Sequence, residues 1–302
     1  MQDLKMRSWL FAPGDSERKM DKAVRGPADI VLFDLEDAVA VEAKPKARAL
    51  VAAALQAHSE QRARLWVRVN PLHGPNAPNA PNAPHALADL VAVMPARPGG
   101  IMLPKARGRA DVEQLHHYLS ALEVAAGSTL GSTKIIALVT ETAQGMFTTG
   151  DYAGAPRLVA MTWGAEDLAD ALGASENRDP DGSYAFTYEL ARSFCLLGAA
   201  TAGVAAIETI HGDFRDEAGL LARAQQVRRA GYRGMLAIHP SQVEIINAAF
   251  APSAEELARA QEIVDLFAAN PGAGTIALRG AMLDRPHLAR AQALLDAAKG
   301  RT

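Results

Sequence analysis

Ile135-Ile136-Ala137-Leu138-Val139-Thr140-Glu141 runs five apolar residues in a row and ends on a hydroxyl and a carboxylate. A strand with one wet face alternates apolar and polar side chains. A run with no polar face belongs to a strand covered on both sides, as in a parallel sheet flanked by helices. The same design recurs on either side of it. Upstream lie Ser8-Trp9-Leu10-Phe11 before Ala12-Pro13-Gly14-Asp15, Ile30-Val31-Leu32-Phe33 before Asp34-Leu35-Glu36-Asp37, Leu65-Trp66-Val67 before Arg68-Val69-Asn70, and Gly100-Ile101-Met102-Leu103 before Pro104-Lys105. Downstream lie Val159-Ala160-Met161-Thr162-Trp163 before Gly164-Ala165-Glu166-Asp167, Ala205-Ala206-Ile207 before Glu208-Thr209, and Met235-Leu236-Ala237-Ile238 before His239-Pro240. Amphipathic helical stretches separate these runs, among them Ala110 to Val124 and Gly219 to Ala230, the second stopped by Gly231. Eight unbroken β–α alternations predict an α/β fold, a closed (β/α)8 TIM barrel, with an open doubly wound sheet as the alternative. The first strand leads into Ala12-Pro13-Gly14-Asp15-Ser16, which lacks the glycine spacing of a dinucleotide-binding turn.

In such a barrel the catalytic groups stand at the C-terminal strand ends. That rule gathers Asp34, Glu36, Asp37, Arg68, Lys105, Glu141, Glu166, Asp167, Glu208 and His239 on one rim. Strand position alone does not choose among the acids. Cys195 lies in the apolar stretch Phe194-Cys195-Leu196-Leu197 and reads as core; His239, before Pro240, reads as a structural hydrogen-bonding group.

Two segments depart from the rhythm. Within Pro71 to Pro84 proline recurs every third residue from Pro75 onward, which excludes helix and sheet and predicts an exposed loop. From about Pro252 the chain reads as helical, with a glycine-rich turn around Gly272-Ala273-Gly274. Residues 1–250 are therefore expected to form the barrel, and residues 251–302 a C-terminal helical arm that docks on a neighbouring subunit.

The rest of the composition excludes function classes. A net charge of −3 offers no basic footprint for nucleic acid. No apolar run reaches the roughly 18 residues of a membrane span, and Met1 to Arg7 lacks the apolar core of a secretory signal. With a single cysteine no intrachain disulfide forms, and a cytoplasmic protein is expected.

The motifs, taken together and in order, resemble one family. Arg7-Ser8-Trp9-Leu10-Phe11-Ala12-Pro13-Gly14-Asp15, Asp34-Leu35-Glu36-Asp37-Ala38-Val39, Val67-Arg68-Val69-Asn70-Pro71, Met102-Leu103-Pro104-Lys105, Glu141-Thr142-Ala143-Gln144-Gly145, Trp163-Gly164-Ala165-Glu166-Asp167-Leu168, Asp213-Phe214-Arg215-Asp216 and Ile238-His239-Pro240-Ser241-Gln242 follow the citrate lyase beta subunit-like (CitE-like) proteins. These belong, with malyl-CoA and citramalyl-CoA lyases, to the HpcH/HpaI aldolase superfamily, and the resemblance runs from Arg7 to about Ala291. It implies a homotrimer or hexamer that makes or breaks a bond between an acyl-CoA and a small oxoacid. It also implies Mg2+ held by Glu141 and Asp167, a substrate-binding Arg68, and a catalytic Asp284 supplied by the neighbouring subunit. Glu36, Asp37, Lys105 and Glu166 are expected around that centre.

Each of these roles has an alternative in the residues. Glu166 competes with Asp167 as ligand, and Arg68 could simply neutralise Asp34, Glu36 and Asp37. Lys105 could form a Schiff base in a metal-free aldolase, although a carboxylate-rich rim raises its pKa and disfavours the free amine. The chain could also be the beta subunit of a multi-subunit citrate lyase that acts on a carrier-protein thioester. Two features depart from the family pattern: the expanded Asn-Ala-Pro loop, and Glu208 where the family has aspartate. The second bears on substrate size if that carboxylate reaches the site.

Overall fold

The computed structural model describes residues 5–74, 77–81 and 83–299 and divides them into two units, one running to Ala248 and one beginning at Ala249. In the first, eight strands close into a parallel barrel in chain order: β1 Ser8–Pro13, β2 Ile30–Asp34, β3 Leu65–Arg68, β4 Gly100–Leu103, β5 Lys134–Leu138, β6 Leu158–Thr162, β7 Ala205–Glu208 and β8 Gly234–Ala237. β8 returns to β1 through the pairs Ser8↔Met235, Trp9↔Leu236 and Leu10↔Ala237. The continuous apolar runs are thus strands buried on both faces, as predicted.

The barrel's interior is packed with side chains. Trp9, Ile30, Leu32, Trp66, Met102, Ile136, Leu138, Ala160, Ile207 and Leu236 form one buried cluster with contributions from every strand. Trp9 and Trp66 meet edge-to-face at 5.0 Å, and each indole N–H is satisfied by a carbonyl, Met6 at 2.9 Å and Ala63 at 3.1 Å. An aromatic of that size buries a large area, provided its polar edge finds a partner. Its volume constrains the neighbouring strand: a Cβ on Gly100 would fall 2.3 Å from the Trp66 ring.

The proline-rich segment departs from its prediction. His73–Gly74 pairs antiparallel with Ala77–Pro81. Proline is excluded from central strands because it cannot donate to the ladder. A two-stranded ribbon has a free edge on each strand, where the missing donor costs nothing. Pro75, Asn76 and Asn82 of the repeat lie outside the described residues.

The C-terminal unit is not wholly helical either. Helix Ala254–Ala269 starts on a reciprocal Ser253–Glu256 capping box, and helix Arg285–Lys299 follows a hairpin of β9 Thr275–Leu278 and β10 Ala281–Asp284. Arg279 (φ 50°) and Gly280 (φ 82°) form its two-residue turn. Positive φ at both central positions matches the right-handed twist of a tight hairpin. This unit has its own core of Ala260, Ile263, Phe267, Leu283, Ala291 and Leu295. Among the described residues, no helix is long and apolar enough to cross a membrane.

Candidate active site

At the end of β2, Asp34 folds the following loop around its own carboxylate. It accepts from the amides of Glu36 (2.9 Å) and Ala38 (3.1 Å), a local turn available to short acidic side chains. The same carboxylate takes the fork of Arg68 from the end of β3, Nε at 2.8 Å and Nη2 at 2.6 Å. Burial alone opposes charge on Asp34, but the adjacent guanidinium outweighs it and holds the carboxyl below its usual range. Two groups that motif reading passed over brace this corner. The Lys44 ammonium donates to the carbonyls of Leu35 (2.8 Å) and Glu36 (2.9 Å). Buried Asp89 accepts from the Asn70 amide (2.8 Å), the Asn70 side chain (2.7 Å) and Arg48 (2.6 Å).

Arg68 shows one of the two roles weighed from the sequence. Its fork is occupied by Asp34, so it does neutralise the acidic corner. Its remaining nitrogen, Nη1, reaches Glu36 at 3.0 Å and Asp37 at 3.3 Å. The Phe11 ring supports the group from one side, 4.8 Å away.

Lys105 forms the second cationic centre. It follows Pro104 at the end of β4 with φ 51°, a left-handed conformation that costs a non-glycine residue about 1 kcal/mol. That turn aims its amide at Glu141 Oε2, 2.6 Å away, while its ammonium meets Glu36 at 2.7 Å and Asp167 at 2.9 Å. Burial disfavours the ammonium, but the charges of Glu36 and Glu141 prevail and raise its pKa well above the lysine range. A Schiff base needs a neutral amine, so this arrangement weighs against the metal-free aldolase.

Glu141 and Asp167 are brought together from the loops after β5 and β6. The Thr142 hydroxyl caps helix Ala143–Thr148, and a Cβ on Gly145 would stand 2.7 Å from the Val139 carbonyl, so the helix can start this close to the strand only with glycine there. Burial opposes charge on Asp167, but the Lys105 ammonium beside it outweighs that and holds its carboxyl below the ordinary pKa. Glu141 is 3% exposed; burial first, then the charges of Glu36 and Asp167, push its carboxyl well up. Burial likewise raises Glu36 to about 7, despite Arg68 and Lys105.

Five carboxylates thus crowd around two cations, and burial together with the charges of Glu36 and Asp167 makes a negative charge on Glu141 costly. The donor set, all oxygen atoms, suits a hard divalent cation, and Gly164 lets the backbone approach Glu141 closely: a Cβ there would fall 3.1 Å from its Cγ. Among the described residues no group of three or more His, Cys, Asp or Glu side chains is placed to hold a metal.

Other expected rim residues are elsewhere. Glu208 turns to the outer side of the barrel. Its neighbour Ile207 faces the interior, so Glu208 points the other way, where it is fully buried against Arg223 (2.8 Å) and the Trp163 indole (3.2 Å). Its extra methylene therefore does not reach the carboxylate cluster. Glu166 is exposed and acts electrostatically on Tyr184 and Tyr188, away from Glu141. His239 hydrogen bonds Ser241 at 2.7 Å and stacks on Phe214; Cys195 is buried core. Asp284 belongs to the C-terminal unit, at the end of β10, where it pairs with His287, three residues along.

Comparison with known proteins agrees with this arrangement. The chain is 33% identical to citrate lyase subunit beta of Haemophilus influenzae over 97% of each protein. It is equally similar, 33%, to a (3S)-malyl-CoA thioesterase of Cereibacter sphaeroides over 97% of this chain and 94% of the relative. Among solved structures, CitE of Mycobacterium tuberculosis in complex with magnesium, acetoacetate and coenzyme A superposes with a TM-score of 0.78 at 33% identity, covering 99% of this chain and 100% of that one. A family profile matches residues 7–240, and with it the whole closed barrel and its carboxylate rim: the chain belongs to the HpcH/HpaI aldolase/citrate lyase family, a family of carbon–carbon lyases.

Proposed function

We propose that the protein is a magnesium-dependent lyase that cleaves a 3-hydroxyacyl-CoA thioester such as malyl-, citramalyl- or citryl-CoA into an acyl-CoA and a small oxoacid. The observation that carries this reading is the convergence of Glu141 and Asp167 on Lys105, the first on its amide (2.6 Å) and the second on its ammonium (2.9 Å), in a rim with more acids than cations. These two carboxylates would hold the metal, which when bound supplies Lewis-acid polarisation of the substrate oxygen, an effect worth several kcal/mol.

The chain's own residues do the rest. Arg68 Nη1 receives the substrate carboxylate, with its orientation fixed by the two bonds to Asp34. Lys105 keeps Asp167 and Glu36 in place and contributes positive charge where an enolate develops. The final proton comes from Asp284 of a neighbouring subunit, so the working particle is a homotrimer or hexamer. The C-terminal unit is the arm that delivers it.

The C. sphaeroides relatives named as thioesterases favour a specific second reading, in which the thioester itself is hydrolysed. Product analysis separates the two. Carbon–carbon cleavage releases an acyl-CoA and an oxoacid with no free thiol, whereas hydrolysis releases coenzyme A and the intact hydroxy acid. We expect the first pattern on at least one member of the panel. Free thiol released in step with thioester loss on every member would contradict it. The H. influenzae relative is named as a subunit, which keeps open action on a carrier-protein thioester within a citrate lyase complex. Activity of the isolated chain on CoA thioesters counts against that requirement.

A further inference from the structure

Away from the carboxylate cluster, a cleft of about 260 Å³ opens beside the loop after β7. Arg178, Tyr184, Ile210, His211, Arg223 and Gln226 line it. Two guanidinium groups share the Tyr184 ring, Arg178 at 4.0 Å and Arg223 at 4.9 Å from its centroid. Arg223 uses Nη2 to hold Glu208. Arg178 donates from Nη1 to the Gly182 carbonyl at 2.8 Å, and no carboxylate among the described residues pairs with it. His211 meets Asp216 through Nε2 at 3.2 Å, which leaves its other ring nitrogen unused by that pair.

The cleft lining therefore holds donors that the described contacts leave unused: Nε and Nη2 of Arg178, a nitrogen of Arg223 beyond the one on Glu208, and the Gln226 amide. A phosphate monoester brings about two negative charges and three terminal oxygens, against one charge and two oxygens for a carboxylate, and so has an oxygen to offer each of Arg178, Arg223 and Gln226. We propose that this cleft is a second binding site, distinct from the carboxylate cluster, for a phosphate-bearing small molecule. It does not depend on the metal reading of Glu141 and Asp167.

The cleft is wired to the loop that carries Asp167. One oxygen of Glu208, Oε1, accepts from both Arg223 (2.8 Å) and the Trp163 indole (3.2 Å), while Oε2 is buried with no hydrogen-bond partner. Trp163 also meets Tyr184 edge-on at 5.2 Å and leads directly into Gly164 to Asp167. A phosphate that draws on Arg223 loosens its hold on Glu208 and changes the indole's surroundings. Trp163 is thus a built-in reporter, while Trp9 and Trp66 lie inside the barrel.

The test is titration of inorganic phosphate into the intact protein at ionic strength fixed with chloride, followed by calorimetry and by tryptophan emission. We expect saturable binding at one site and an emission change that disappears in Trp163→Phe while the calorimetric signal persists. Arg178 is exposed, so Arg178→Ala should leave thermal melting unchanged while weakening phosphate roughly ten- to hundredfold, and Arg178→Lys should restore part of the loss. Absence of saturable binding, or equal affinity in wild type and Arg178→Ala, would overturn the site. So would one-for-one displacement of phosphate by coenzyme A, which would place the phosphate in the thioester's own site.

Discussion

At the scale of single residues, the chemistry rests on how Arg68 and Lys105 divide five carboxylates between them. Arg68 is fixed by Asp34 through two bonds and gives Nη1 to Glu36 and Asp37, so its geometry matters as much as its charge. Lysine at position 68 keeps the charge and loses the fork. Arg68→Lys should therefore raise KM for the thioester and lower kcat/KM roughly ten- to hundredfold, with little change in melting temperature, measured by steady-state kinetics beside a thermal melt. Unchanged kinetics would mean that the guanidinium only neutralises the acidic corner. Much of this site was legible in the chain: Asp34, Glu36, Arg68, Lys105, Glu141 and Asp167 each follow a strand, and the strand-end rule collected them. Lys44 and Asp89 were not legible. They act from helices, through backbone carbonyls and an asparagine, and a lone charge on a helix looks the same whether it braces a loop or faces water.

At the scale of elements, the strands were readable because both of their faces are buried, which removes the polar alternation that would mimic a loop or an edge strand. The C-terminal hairpin was not, because β9 and β10 are short and mostly exposed, and Ala281, Met282 and Leu283 are all strong helix formers. Glu208 was misplaced by one position, and in a strand one position reverses the face. A buried ion pair ties helix Arg109–Ala125 to the strands. Glu123 accepts two bonds from Arg157 at 2.8 Å and amides from Gly131 (2.7 Å) and Thr133 (2.8 Å). Burial alone would raise the Glu123 carboxyl, but those bonds, Arg157 first, bring it down to about 2. A carboxyl that titrates near 4.5 in the unfolded chain and about 2 in the folded one adds stability fully present above pH 4.5 and lost as pH falls toward 2, on the order of 3 kcal/mol. Glu123→Gln should cost about 3–5 kcal/mol at neutral pH and flatten the acid limb between pH 4.5 and 2, as read by urea unfolding across that range. An acid limb as steep as the wild type's would show that other carboxylates carry it.

At the scale of the whole molecule, the barrel supplies the rim and the proposal assigns the last proton to Asp284 of another subunit. In its own unit Asp284 accepts a hydrogen bond from His287, which holds its carboxyl below the usual range. Mixing Asp284→Ala chains with Arg68→Ala chains under subunit exchange should recover part of the activity, because some sites then combine an intact Arg68 with an intact Asp284. No recovery, with exchange verified by mass, would remove Asp284 from the reaction. The central claim, that Glu141 and Asp167 hold a magnesium ion that carbon–carbon cleavage requires, has a more direct test. Acyl-CoA release from malyl-, citramalyl- and citryl-CoA is measured with magnesium and after full metal removal, in wild type and in Glu141→Gln/Asp167→Asn. The account predicts cleavage of at least one thioester that falls by about a thousandfold or more on metal removal and by a similar factor in the double variant at saturating thioester. Cleavage that survives metal removal, or a double variant as active as the wild type, would contradict it.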